Sequence, residues 1–550
     1  MLKTHPWTAA LLVIAVSALA YLPLIDQLGL YLGDVTFMWI EQGLGAASLI
    51  EAISDDRPGA GVLFALTGAL LGSDVLGWHL LMLLLRVGAA LALMWGLRAV
   101  FPDHPGLTTA AGALMAVYPG FLLQHMAINL QTYLAAHLLA LISIGASLRA
   151  VSAPRPAGLV GLSAVNLGVY LLLLEALIGL EALRLLLLWL HPSAPPKARD
   201  RLRWAARQML PLLFVIGLFG VWRVFIFDDN ARPDTDIDAV LGQYGAGGVA
   251  LMLENWARGI WHGGALAWVQ PLIERAAYLS LPLIIPAAGA AILIGALRPS
   301  ADRITARRWL LIGALALIGA LLPIAAVLKP PTLIPYSSRL LLPASAGAIL
   351  LAIGLAALLP NAVRRIALGG LIGVSALIQL TDAALYADHW AMQRDFWRQM
   401  RDRVPAVADG ATVIAVLPER WRTFPYTSPD DEILFPINWM LTGSAGELRH
   451  GGMILRDELI PLLTAGRAYD LVFRSGWLSH RADLSRAVIV WLPETGDCLR
   501  VLSPNDTDLT DPLIAAAAPF SRPALIIADA PPPDLPSWLG SADGAECVSG

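Results

Sequence analysis

Runs of about 18 or more apolar residues recur along the first 384 positions, and each is long enough to cross the hydrocarbon core of a bilayer. One of them reads "LLMLLLRVGAALALMWGL" (80–97). A chain built this way folds as a polytopic α-helical membrane protein. Composition agrees: the 550 residues are 57% hydrophobic and 15% charged, with mean hydropathy +0.65. Soluble domains carry about 25% charged residues. The net charge of −4 is dispersed, so no nucleic-acid footprint is present.

A hydropathy-style reading gives about eleven spans. They fall near 8–25, 76–99, 106–123, 131–149, 156–173, 175–191, 209–227, 278–297, 309–328, 340–360 and 366–384. Lys3, the following apolar run and "ALA" at 18–20 imitate a cleavable signal peptide. The run continues to Leu24, and is read here as a retained first span.

Orientation follows from the loops. With the N-terminus inside, residues 192–208 are cytoplasmic and hold Lys197, Arg199, Arg201, Arg203 and Arg207. Residues 298–308 are also inside, with Arg298, Arg303, Arg307 and Arg308, as is the loop with Arg364 and Arg365. The opposite loops hold few basic residues, and one begins with the acidic run "DDNARPDTDID" (228–238). The positive-inside rule favours this arrangement. An odd number of spans then places residues 385–550 outside.

The sequence thus divides into a transmembrane part, 1–384, and an extracytoplasmic α/β domain, 385–550. The latter opens with the charged amphipathic segment "DHWAMQRDFWRQMRDRV" (388–404). Strand-like runs follow at 411–418, 469–474 and 486–493, separated by turn signals. The two cysteines, Cys498 and Cys547, form no CxxC motif, which argues against structural zinc. They are a disulfide candidate in an oxidising compartment. Two outer loops, 26–75 and 228–277, are too long for turns. In the first, Phe37, Ile40, Leu44 and Ala47 share a helical face, weakened by Gly43 and Gly45, and "GVLFALTGALLG" (61–72) is apolar but too short to span. Both suit helices lying at the membrane surface. In the second, Trp256, Trp261 and Trp268 suit the interfacial belt.

This layout resembles the GT-C class of polytopic glycosyltransferases, within it the protein-O-mannosyltransferase-like and aminoarabinose-transferase-like group. The early acidic motif is matched by "GDVTFM" at Asp34, and the proline-led apolar stretch by "RPGAGVLFALTGALLG" (57–72). "WHLLMLLLRVGAALALMWGLRAVFP" (78–102) resembles the next span, with Arg86 at the basic position. "AVYPGFLLQHMAINLQTYLAAHLLALIS" (116–143) resembles the Pro-containing turn and the span after it, and "SSRLLLP" (337–343) the late Arg-containing motif. The match is good over residues 1–150 and thin beyond. The family often has a second acidic residue where Val35 stands here, an Asp where Asn129 and Gln131 stand, and a Lys near Glu175.

The resemblance implies a plasma-membrane enzyme of bacterial type that moves a sugar, with inversion, from a polyprenyl-phosphate-linked donor to an extracytoplasmic acceptor. It casts Asp34 as a base activating the acceptor hydroxyl. The bland alternative is a helix N-cap. Asp55 and Asp56 are paired carboxylates that would assist catalysis, and Arg57 a fork for a phosphate. Their bland reading is a turn between surface helices. Arg86 and His79 share a face of one span and would bind the donor phosphate, since a buried Arg is costly and faces a cavity or a partner; the bland alternative is an Arg86 that snorkels or pairs with a carboxylate. Arg339 and Tyr336 would meet the donor phosphate, or anchor at the interface. Gln124, His125 and Asn129, in the Pro119–Gly120 turn, would line the acceptor cleft; the bland reading of a lone His is structural. Arg223 is a further outer-side cation. Glu181 and Arg184, three residues apart, read as a structural pair. A divalent metal fits this carboxylate set without being demanded by it. No Walker, Rossmann or Gly-x-Ser-x-Gly motif is present. The rival reading is a non-enzymatic transporter, lipid-handling protein or envelope scaffold of the same architecture.

Overall fold

The computed structural model describes residues 5–54, 57–227, 245–297, 299–422, 430–473, 478–493, 498–506 and 509–539. Asp55, Asp56, the acidic run 228–238, Arg298 and Cys547 lie outside these residues. Cys498 is disulfide-bonded.

The chain is mostly helical. Its principal helices are α1 (Pro6–Tyr21), α2 (Asp34–Ser54), α3 (Pro58–Leu71), α4 (Val75–Val100), α5 (Pro105–Val117), α6 (Gln131–Ala150) and α7 (Ala157–Leu173). Then come α8 (Glu181–Leu190), α9 (Ala198–Phe225), α10 (Ala246–Gly264), α11 (Leu281–Gly295), α12 (Arg303–Ala326), α13 (Ser345–Ala357) and α14 (Asn361–Arg403). Among the described residues, six helical segments are long and apolar enough to cross a membrane: Pro6–Gln27, α4, α6, α9, α12 and α14. The other five expected spans are present as shorter helices. Two deviate for visible reasons. The third expected span is helical only through Val117, because Pro119 follows and the backbone to Leu130 is irregular. The sixth begins as a tight 3-10 turn over Glu175–Leu180 before α8.

Close packing relies on small residues. The α12–α13 contact is made at Gly313, Gly347 and Gly354, where an added Cβ would stand 2.2, 2.3 and 2.6 Å from the facing backbone. Glycines let helix axes approach in this way where apolar burial gives no preference over lipid. α9 is the exception. Phe214, Leu218, Val221, Val224 and Phe225 project outward from it, as expected of a lipid-facing helix.

The α2 helix departs from the single face anticipated over Phe37–Ala47. Gly45 takes φ +84, a left-handed conformation open to glycine, and kinks the helix. Phe37 and Ile40 are buried before the kink and Leu49, Ala52 and Ile53 after it, while Leu44 and Ala47 are exposed. Gly43 has a contact role: a Cβ there would lie 2.2 Å from the backbone of Gly446 in the C-terminal region.

The amphipathic segment 388–404 is the continuation of α14, one unbroken helix of 43 residues. Beyond it lies a small α/β region. Strands β1 (Thr412–Val416), β2 (Gly451–Ile454), β3 (Ala468–Phe473), β4 (Leu478–Asp483), β5 (Ala487–Trp491) and β6 (Arg500–Val501) form two sheets. The larger has order β2-β1-β5-β6, with β1 parallel to both β2 and β5 and β6 antiparallel. β1 is buried at every position, as expected of a central parallel strand covered on both faces. β3 and β4 pair separately and antiparallel.

Candidate functional site

A cavity of about 360 Å³ opens where several helix ends meet. Its polar rim holds Arg57, Tyr133, Glu175, Arg223, Lys329 and Arg339, and its apolar wall includes Leu171–Leu174, Phe219, Trp222, Ile324 and Val327. Each rim residue stands at the same end of the bundle. Arg57 precedes α3, Tyr133 is in the first turn of α6, Glu175 follows α7, Arg223 ends α9, Lys329 follows α12 and Arg339 precedes α13. The basic loop residues Lys197–Arg207, Arg303–Arg308 and Arg364–Arg365 lie at the opposite helix ends.

Tyr133 organises the rim. Arg57 donates from Nη2 to its hydroxyl at 3.1 Å, with the guanidinium 5.0 Å from the ring centroid. The Arg339 guanidinium is 5.9 Å from the same centroid and 3.2 Å from that of Tyr336. Such cation–π contacts hold arginines in place. Across the cavity Arg223 donates to Glu175 at 3.0 Å and stacks 4.8 Å from the Phe227 ring. The result is a cation-rich mouth on an apolar chamber. That is the donor set suited to a phosphate carrying a hydrocarbon chain.

Of the residues singled out in the sequence, Arg57 and Arg339 line the cavity, and Tyr336 packs against Arg339. Lys329 and Tyr133 had not been singled out. For Lys329 a signal existed: a lone lysine follows an apolar span on the side otherwise poor in cations.

Asp34 is elsewhere. It is fully buried, and its two oxygens accept four backbone N–H groups. Oδ1 takes Ile128 at 3.0 Å and Asn129 at 2.7 Å; Oδ2 takes Tyr31 at 3.0 Å and Ala127 at 3.2 Å. Burial pushes the carboxyl up to about 6 against the downward pull of these amides.

The other expected ligands, His79, Arg86, Gln124 and His125, are buried and do not line the cavity. Val117 ends α5 and leaves carbonyls without helical partners. Arg86 answers them, donating from Nε to Ala116 O at 3.1 Å and from Nη2 to Tyr118 O at 3.0 Å. Gln379 adds a second bond to Tyr118 O at 3.0 Å. His79 donates to Gly29 O at 2.9 Å, and His125 to Gln379 O at 3.0 Å. Gln124 is buried. Below His125, Asp382 pairs with Arg275 at 2.6 Å. Arg86 and Gln379 thus tie the 116–118 backbone, and His79 and His125 the carbonyls of Gly29 and Gln379, hydrogen bonds that offset part of the cost of burying these groups.

Glu181 and Arg184 form the expected structural pair, 2.7 Å apart. Tyr170, Ser143 and Ser163 complete their hydrogen bonding. Among the described residues no three His, Cys, Asp or Glu side chains group around a point that would hold a metal ion.

No protein-family profile matches the sequence, and no curated protein matches it. Among solved structures, the chain is similar to the oligosaccharyltransferase of Archaeoglobus fulgidus, crystallised with zinc and sulfate, at 15% identity and TM-score 0.35. The match covers 72% of this chain and 55% of that one, so the chain spans about half the length of that protein.

Proposed function

We propose that the protein is a membrane-embedded glycosyltransferase that takes a sugar from a polyprenyl-phosphate-linked donor at the outer leaflet and passes it to an extracytoplasmic acceptor. The observation that carries this reading is the convergence of Arg57 and Arg339 on Tyr133, at the mouth of a cavity walled by Leu171–Leu174. The apolar wall suits the first prenyl units and the cations the phosphate. The cavity's place opposite the arginine-rich loops supports an extracytoplasmic site.

In the inverting reaction the acceptor oxygen attacks the anomeric carbon. The anomeric C–O bond breaks with its electron pair going to the phosphate, and a base takes the acceptor proton. Arg57, Arg339 and Lys329 would offset charge on the leaving phosphate, which counts for most in a water-poor site. Asp55 and Asp56, adjacent in the chain to Arg57, are the carboxylates to test first as base. Glu175, on the rim, is the third.

Transfer is tested with purified protein in nanodiscs, a panel of polyprenyl-phosphate sugars and a membrane-extract acceptor pool. Turnover that disappears in Arg57→Ala and Arg339→Ala supports the reading. Absence of both donor binding and transfer across the panel overturns it. A second reading, lipid-phosphate binding without transfer, is favoured by the engagement of both Asp34 oxygens away from the cavity. Donor binding with no turnover would select it.

A further inference from the structure

We propose that Asp34 is a positioning residue, not a base: it clamps the 127–129 turn and so sets Tyr133, and with it the arginine pair, for an anionic lipid headgroup. This inference rests on the lipid-phosphate reading of the cavity.

A carboxylate offers about four lone-pair sites. At Asp34 all four are occupied by backbone N–H groups, two on each oxygen. A general base needs an open lone pair within reach of the acceptor proton. Asp34 has neither an open site nor a place in the cavity wall.

The local backbone is shaped for this clamp. Leu32 takes φ +40 and Gly33 φ +78, left-handed conformations that are unfavourable for a leucine. Such a strained turn persists only where its surroundings over-determine it. Here Asn129 Nδ2 donates to Leu32 O at 2.7 Å and the Tyr31 hydroxyl to Tyr386 O at 2.8 Å. The turn and the 127–129 segment are thus bound reciprocally.

The segment leads directly into the site. Gln131 N–H bonds Ile128 O and Tyr133 N–H bonds Leu130 O, so the clamped turn seeds the first turn of α6. Gln131 is further fixed by Thr67 of α3 at 2.8 Å. Tyr133 then presents its hydroxyl to Arg57 and its ring to Arg339. Displacing residues 127–129 shifts the ring on which both cations rest.

The test is binding of a short-chain polyprenyl phosphate to the protein in nanodiscs, with amide exchange followed in parallel. Asp34→Asn puts an amide NH₂ against the backbone donors. The expected result is binding weakened roughly tenfold or more, as misplacement of a site by about 1 Å can do, with faster exchange at residues 127–129 and 133. Wild-type affinity and exchange in Asp34→Asn, with turnover lost, would overturn the inference and return Asp34 to the role of base. Should that variant not fold, Asn129→Ala keeps the carboxylate and removes the tie to Leu32. Weaker binding there supports the clamp, and unchanged binding overturns it. Failure of the wild type to bind the lipid phosphate is a different result: it removes the lipid-phosphate reading, and this inference with it.

Discussion

Arg57 donates a 3.1 Å hydrogen bond to the Tyr133 hydroxyl, and so joins the start of α3 to the first turn of α6 across 76 positions of sequence. Arg339, from a third part of the chain, lies against the same ring.

Removing either cation should weaken phosphate binding. Arg57→Ala and Arg339→Ala are each expected to raise the Kd for a polyprenyl phosphate by about tenfold, or roughly 1.4 kcal/mol. Because both rest on Tyr133, the double variant should lose less than the sum. Arg57→Lys should recover only part of the loss, since an ammonium lacks the planar fork. Titration in nanodiscs checks all three.

The Glu175–Arg223 pair separates a binding role from a stabilising one. The pair is partly exposed, with Glu175 at 49%, and such pairs contribute about 1 kcal/mol or less. Glu175→Gln should leave thermal unfolding nearly unchanged. If Glu175 is the base, the same variant loses turnover while keeping donor affinity, and steady-state kinetics beside a binding titration distinguish the two.

Arg184 should be hard to replace. Arg184→Met would strand the buried Glu181 carboxylate, at a cost of about 3–5 kcal/mol. Replacing Glu181 and Arg184 together by apolar residues of similar volume should restore most of it. Thermal unfolding in detergent measures both.

Two glycines are expected to tolerate no side chain. A Cβ on Gly29 would stand 1.8 Å from the Trp390 ring, and one on Gly43 2.2 Å from the Gly446 backbone. Overpacking of this kind costs about 1–3 kcal/mol or more. Gly29→Ala should lower the unfolding temperature. Gly43→Ala should loosen the C-terminal region from α2, seen as faster proteolysis around residues 443–449.

Helix-length hydrophobic runs were legible because a bilayer demands a continuous apolar stretch, and each such run is a helix here. β1, β3 and β5 were legible for a similar reason, as compact apolar or alternating runs. β4, "LSHRAD", is mostly polar, and β2 opens with two glycines, so neither stands out as an apolar run. Among charged residues the outcome turned on depth. Arg57 and Arg339 stand at helix ends, where a cation can face an opening. Arg86 and His79 share a buried face, and no periodicity tells whether such a face meets a ligand or a neighbour's carbonyls. Asp34 was visible as an unusual residue. Three of its four partners are main-chain amides 93–95 positions away, which no side-chain motif encodes.

The unbroken α14 helix, 43 residues and about 65 Å long at 1.5 Å per residue, runs from the arginine-rich end of the bundle to the C-terminal sheet. It is a rigid lever with no hinge between its arms. Because α14 packs along α11, the set of its membrane arm against that helix fixes the direction in which the chain enters the C-terminal sheet.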